Sequence, residues 1–251
     1  MTTLGEAARS EGRRLPGDLV GEAIRVAAYA LKAGRDKADR VISLGEFMRE
    51  GWHVLEPANP YVHGWHIDAI TEHLEAVTRG QIRNLVINMP PRHAKSLCVS
   101  VFWPMWVWTT RPDKRWLFAS YSQFLSTRDS VKCRRLVQSN WYQEHWGRKF
   151  QLTGDVNLKT RFENTEAGHR IATSVGGAAT GEGGDFVVVD DAHNVKQALS
   201  EAIREATLEW WDQSMSTRHN DPKTGAKVIV GQRVHEVDLS GHVLSGGEYE
   251  H

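Results

Sequence analysis

The chain has 251 residues, of which 40% are hydrophobic and 25% charged, the balance of an ordinary globular protein with room for one large domain. Its 31 basic and 31 acidic residues cancel, so any surface for a polyanion must be local rather than a property of the whole. No apolar run approaches the roughly 20 residues of a membrane helix, the N-terminus lacks the apolar centre of a secretory signal, and the two cysteines, Cys98 and Cys133, have no metal-ligand spacing and fit a reducing compartment.

Residues 1–50 read as a charged helical arm or linker, with Ile24, Ala28 and Leu31 at helical spacing in "EAIRVAAYALKA". Residues 51–251 read as the main domain. A helix is expected from Trp65 to a glycine stop at Gly80. "NLVINMPP" reads as a buried strand, and "KSLCVSVFWPMWVW" as an apolar helix that Pro104 kinks or ends. "RWLFASYS" is a second strand and "FLSTRDSVKCRRLVQS" a second helix; "LKTRFENTEAGHRIATSV" has the alternation of a hairpin. "FVVVDD" is a further strand, "SEAIREATLEWWDQSM" a helix and "AKVIVGQR" the last strand, while "LSGGEYEH" is expected to stop without a closing element, as in an excised domain. Strands alternating with helices predict an α/β domain with a mostly parallel sheet. Most of the ten tryptophans are expected in the core.

Within "NMPPRHAKSLCVS" a Lys-Ser pair follows a strand and opens a helix, the arrangement of a loop whose backbone N–H groups and helix end hold phosphate. Met89 and Ala94 stand where the usual pattern has glycine. Alanine is tolerated before Lys95 if φ is negative there, and Pro90 and Pro91 stiffen the approach to the loop. A lysine in the first turn of a helix opposes the dipole unless an anion is bound, which strains the reading as a chance strand–turn–helix, but this stretch alone leaves both readings open. "FVVVDD" supplies a second piece, an apolar strand ending in two carboxylates, where nucleotide hydrolases hold Mg²⁺ and align water.

"NMPPRHAKS", "FASYSQFLSTRDSVKCRRL", "RFENTEAGHRIATSVGGAATGEGGDFVVVDDAHN" and "WWDQSMSTRHNDPKTGAKVIVGQRVHEVDLSGH" together resemble the ATPase domain of a tailed-phage terminase large subunit, from about residue 45 onward. The resemblance implies a P-loop NTPase fold of the RecA/ASCE-like kind, with ATP and Mg²⁺ as cofactors. It implies that Lys95 contacts the β- and γ-phosphates within a nucleotide-binding segment of Pro91, Arg92, His93, Ala94, Lys95, Ser96 and Leu97. Ser96 and Asp190 would hold Mg²⁺, partly through water, and Arg92 would sense the γ-phosphate in cis. Asp191 stands where most terminases have a glutamate; its shorter side chain leaves the identity of the general base open. Trp65 and His66 match the segment that packs on adenine, and Gly231, Gln232 and Arg233 match the element that couples nucleotide state to movement. Implied partners are double-stranded DNA, the portal protein, the small terminase subunit and further copies in a ring, in host cytoplasm; an isolated domain is compatible with a monomer. Nuclease activity, which relatives carry in a C-terminal domain, is not expected.

Several residues have plainer readings. Trp65 fits a core position, Arg92 a solvent-facing loop charge, Gln232 and Arg233 a strand end, and His193 a turn or helix cap. Arg128, Lys132, Arg134 and Arg135 fit either a solvated helix face or a salt-dependent DNA-phosphate contact. "GGAATGEGGD" at 176–185 reads as a mobile loop near the site or a flexible connector. "DDAH" also allows a superfamily 2 helicase-like translocase, and the missing glycines allow a non-enzymatic binding module.

Overall fold

The computed structural model describes residues 40–177 and 181–251, together with Ile24. Most of the expected N-terminal arm and residues 178–180 of the glycine-rich loop lie outside the described residues.

Helix α1, Leu44–Leu55, opens on a capping box: the Ser43 side chain accepts from the Glu46 N–H, and Glu46 reaches back to the Ser43 backbone. Its buried residues Leu44, Phe47, Met48, Gly51 and Leu55 recur at helical spacing, so the expected domain boundary at residue 50 falls inside an element that is part of the core. Helix α2, Trp65–Thr78, buries Ile67, Ile70, Leu74 and Val77, and Gly80 follows it at φ +74°. Strand β1, Asn84–Asn88, leads through the loop at 89–94 into a π-helical turn, Leu97–Phe102, continued by α3, Trp103–Val107. The expected disturbance at Pro104 is therefore a widened turn just ahead of it: the Trp103 N–H reaches the Cys98 carbonyl five residues back.

Next come β2 (Trp116–Ser120), α4 (Gln123–Val137) and α5 (Asn140–Trp146). An antiparallel flank follows, made of β3 (Leu152–Asn157), β4 (Arg161–Asn164) and β5 (His169–Ser174). The rest is β6 (Phe186–Asp190), α6 (Glu201–Gln213), β7 (Ala226–Gly231) and α7 (Leu239–Ser245). The expectation that the chain stops without a closing element is corrected by α7, which Asp238 caps at the Gly241 N–H, and by Glu250, which bridges to Leu85 on the edge of the sheet.

The seven strands form one sheet in the order β1-β7-β6-β2-β5-β4-β3. Every pair from β1 to β5 is parallel, and β5–β4 and β4–β3 are antiparallel. Pleating divides each central strand between two cores. Trp116 and Phe118 of β2 with Phe186 and Val188 of β6 face the layer of α1–α5; Leu117, Ala119, Val187 and Val189 face α6 and α7. Burial on both faces is why these strands read as continuous apolar runs. Trp103, Trp108, Trp116 and Trp146 are fully buried, as expected of most tryptophans. Both cysteines are free and buried, and no described helix is long and apolar enough to cross a membrane. The parallel arrangement brings the carboxyl ends of β1, β7, β6 and β2 to one edge, where open α/β sheets bind ligands.

Candidate functional site

At the end of β1 the chain turns into a helix within a few residues. Met89 donates its N–H to the Gly231 carbonyl (3.0 Å), which ties the loop to the end of β7. Arg92 lies at φ +66° and Ala94 at φ +58°, both in the left-handed region. The condition under which alanine is expected to be tolerated before Lys95, a negative φ, is therefore not met. Left-handed backbone beside right-handed backbone is the geometry from which anion-binding turns are made, and here both left-handed positions are held by residues other than glycine. His93 donates through Nδ1 to the Pro91 carbonyl (2.9 Å) and crosses His66 edge to face, with ring centroids 5.6 Å apart. Ala94 and Leu97 pack partly into the main core.

Lys95 and Ser96 open the helix and meet the end of β6. Lys95 is only 7% exposed, and its Nζ lies 3.1 Å from Asp191 Oδ2. Ser96 Oγ donates to Asp190 Oδ1 (3.1 Å), and Ser100 Oγ, one turn further along, donates to Asp190 Oδ2 (2.7 Å). Asp190 is 6% exposed. Burial pushes its pKa up to about 7, the Asp191 and Asp129 carboxylates add to the rise, and the Ser100 hydroxyl and Lys95 oppose it. Asp191 sits at φ +50° with its backbone fixed on both sides: its N–H donates to the Val230 carbonyl (2.8 Å) and its carbonyl accepts from the Tyr121 N–H (2.9 Å). Asp191 Oδ1 accepts from the Gln232 N–H (3.4 Å), and a Cβ at Gly231 would press on that oxygen at 3.3 Å.

Two further groups were not among the expected site residues. Ser100 shares a helix face with Ser96 at a spacing of four, the signal that marks it. Asp129 lies on the buried stripe of α4 with Ser126, Ser130, Cys133 and Leu136, where a carboxylate is out of place without a partner. Arg128 supplies one bidentately, Nε to Oδ1 at 2.9 Å and Nη2 to Oδ2 at 3.0 Å. Asp129 holds the Arg128 guanidinium firmly charged, with Asp190 and Asp191 contributing through space. Lys132 pairs with Glu56 (3.2 Å). Half of the basic run on α4 is thus engaged with carboxylates rather than presented as a free basic face.

Trp65 is 79% exposed, which removes the core reading. With His66, Ile70, Ile87, Met89 and His251 it lines a cavity of about 260 Å³ beside the loop. Arg92 is exposed and Gln232 half-buried. Arg233 pairs with Asp238 (3.1 Å) and the His235 and Glu236 carbonyls, and with Gln232, Met89, Pro90 and Pro91 it lines a second cavity of about 350 Å³ beside the loop. His193 accepts the Leu239 N–H at Nε2 (3.0 Å) and so caps α7, as the cap reading expected. The structure therefore gathers Lys95, Ser96, Asp190, Asp191 and Gln232 in one place, sets Trp65 and His66 beside one adjoining cavity and Arg233 beside another, and leaves His193 in the wall behind.

No protein-family model matches the chain, and no curated protein matches it. Among solved structures, the bacteriophage HK97 large terminase superimposes with a TM-score of 0.54 at 12% identity, covering 82% of this chain and 43% of that one. The Thermus phage P74-26 large terminase ATPase domain (TM-score 0.42, 16% identity, 72% and 67% covered) and the bacteriophage D6E large terminase (0.45, 11%, 71% and 44%) are similar at a lower level. This chain spans less than half the length of the HK97 protein. A mostly parallel sheet with a phosphate-type loop at the end of β1 and paired carboxylates at the end of β6 is a P-loop NTPase fold, of the form found in the HK97 large terminase.

Proposed function

We propose that this chain is the ATP-hydrolysing motor domain of a phage large terminase, which couples turnover to movement of double-stranded DNA. The observation that supports it most is the joining of two distant strand ends by Lys95–Asp191 and Ser96–Asp190. A chance Lys-Ser at a helix start has no reason to meet two carboxylates of another strand.

In this reading the backbone N–H groups of residues 92–96 hold the β- and γ-phosphates, and the Trp65–His66 cavity takes the adenine. Lys95 leaves Asp191 for the arriving phosphate. Asp191 is then free to take a proton from the attacking water while its backbone stays fixed. Arg92 stabilises negative charge at the γ-phosphate, a role that in such sites is worth about 10³–10⁵ in rate. Ser96 and Asp190 offer the hard oxygen donors that suit Mg²⁺, which when bound neutralises phosphate charge. The Gln232 N–H on Asp191 ties the end of β7 to the base, so a change there is transmitted along β7. The same reading implies portal protein, small subunit and further copies as partners in a ring, assembled in host cytoplasm.

Phosphate release from ATP, measured with Mg²⁺ and with chelator, tests the proposal. Activity in the parent that Lys95→Ala abolishes supports it; equal release from both proteins overturns it. The helicase-like alternative rests on "DDAH", but His193 of that run is engaged at Nε2 by the Leu239 N–H of α7.

A further inference from the structure

We propose that Arg170 is a positioning residue for the phosphate-loop helix: by holding the Ser100 carbonyl it keeps the Ser100 hydroxyl on Asp190. The proposal rests on the nucleotide-site reading above and deepens it.

Its physical origin is Pro104, which has no N–H to give the Ser100 carbonyl four residues back and crowds that carbonyl with its ring. The helix widens into the π turn Leu97–Phe102, and the Ser100 carbonyl turns to other donors. Arg170 Nη2 reaches it at 3.1 Å and the Cys133 thiol at 3.3 Å. The hydroxyl of the same residue lies 2.7 Å from Asp190 Oδ2. A chain of contacts thus runs from β5 through one residue of the loop helix to β6. π turns of this kind occur mostly at functional sites.

Packing gives little reason for an arginine there. Arg170 is fully buried and stacks its guanidinium on the Phe118 ring at 4.1 Å, while its Nε and Nη1 are buried without a partner among the described residues. A buried cation with unpaired N–H groups is costly, and apolar residues of similar volume often replace such groups without loss of stability. The Nη2 hydrogen bond goes to the Ser100 carbonyl, and the buried carboxylate of Asp190 lies beyond the hydroxyl of the same residue. The reach of Arg170 serves that carboxylate through Ser100.

ADP affinity, measured by calorimetry with Mg²⁺ and again with EDTA, tests this without turnover. Arg170→Met keeps the length and the packing on Phe118 but removes the donors. It is expected to cut the Mg²⁺-dependent gain in ADP affinity roughly tenfold, the usual effect of losing a group that orients a metal ligand. Affinity in EDTA and the melting temperature are expected to stay near the parent values. Ser100→Ala is expected to act alike, the double variant to be no worse than the weaker single one, and Arg170→Lys to recover part of the loss. A change in melting temperature alone, equal weakening with and without Mg²⁺, or losses that multiply in the double variant would overturn the proposal. If Arg170→Met does not fold, Ser100→Ala decides: an intact Mg²⁺ gain leaves Arg170 nothing to position. A parent without Mg²⁺-dependent ADP binding overturns the nucleotide-site reading instead.

Discussion

The ends of β1 and β6 carry three of the four non-glycine residues with positive φ among the described residues, yet the two ends are built differently. At β6 the strained residue, Asp191, is held by backbone bonds from β7 and from the residue after β2, and by the Lys95 ion pair. At β1 the strained residues, Arg92 and Ala94, lie in a loop whose Pro90, Pro91, Arg92 and His93 are all exposed. Strain of about 1–3 kcal/mol persists only where the surroundings enforce it. The β6 end is thus a carboxylate platform fixed by its neighbours, whereas the exposed β1 loop, in the function proposed above, is braced by the phosphates it binds.

The contrast is broken most severely by Lys95→Ala, which removes one of the two side chains, with Ser96, that join the ends. Phosphate release is expected to fall by about 10²–10³-fold or more, in line with the loss of a preorganised charge at a reacting group. ADP affinity should fall with it; a variant that keeps both would refute the assignment of the loop. Asp191→Asn comes next. Asparagine tolerates the left-handed region and keeps the backbone bonds, so the platform should survive. Turnover is expected to drop about 10²–10⁴-fold if Asp191 is the base, while ADP affinity holds or rises because Lys95 is released. Calorimetry alongside a phosphate assay separates the two effects.

Much of this site was visible in the sequence, for reasons that also explain what was not. Lys95, Ser96, Asp190 and Asp191 could be read because each sits at the end of a strand covered on both faces, and such strands announce themselves as apolar runs. Strand β3 had no such signal: it pairs on one side only, is half-exposed along its length and shifts register against β4. Helix α7 is seven residues long, too short for periodicity, and its start depends on His193 far away in sequence. Helix α1 was legible in the Ser43–Glu46 capping box, but was assigned to the arm because the boundary was placed by charge. Ser100 and Arg170 are polar residues on apolar stripes whose partners lie on other elements, and no local pattern pairs them. The sign of φ at Ala94 is equally nonlocal, because the geometry of β1 and its helix imposes it.

A smaller effect separates the wall behind the platform from the platform itself. Burial lowers the pKa of His193, and its Nε2 must stay unprotonated to accept the Leu239 N–H. A group whose pKa is depressed by folding contributes stability above its unfolded pKa, about 6.5, and loses it as pH falls through the lower folded value. Asp190, with its raised pKa, acts in the opposite sense between about 4 and 7, so the sign has to be read from a difference. His193→Ala is expected to cost about 1–3 kcal/mol at pH 7.5, the range for a buried donor left unpaired. That cost should shrink as the pH is lowered toward 5, where the parent loses the same bond. A gap in melting temperature independent of pH would show that His193 acts by packing alone.

The gentlest change sharpens the comparison at its other end. Ala94→Gly removes a Cβ from a left-handed residue, which relieves about 1–2 kcal/mol of local strain. The glycine also raises the entropy of the unfolded chain, at a cost of about 0.4–1 kcal/mol. The net stabilisation of the free protein is therefore expected to be up to about 1 kcal/mol, visible as a small rise in melting temperature. The same substitution lets backbone approach phosphate more closely and should tighten ADP binding a few-fold. Placing glycine at Asp191 would relieve a similar strain but remove the carboxylate that Lys95 and the Gln232 N–H share, so there the loss must outweigh the gain. Opposite signs for Ala94→Gly and Asp191→Gly in melting temperature would establish that strain at β1 is dispensable and strain at β6 is enforced. Equal signs would mean that the two strand ends carry their strain in the same way.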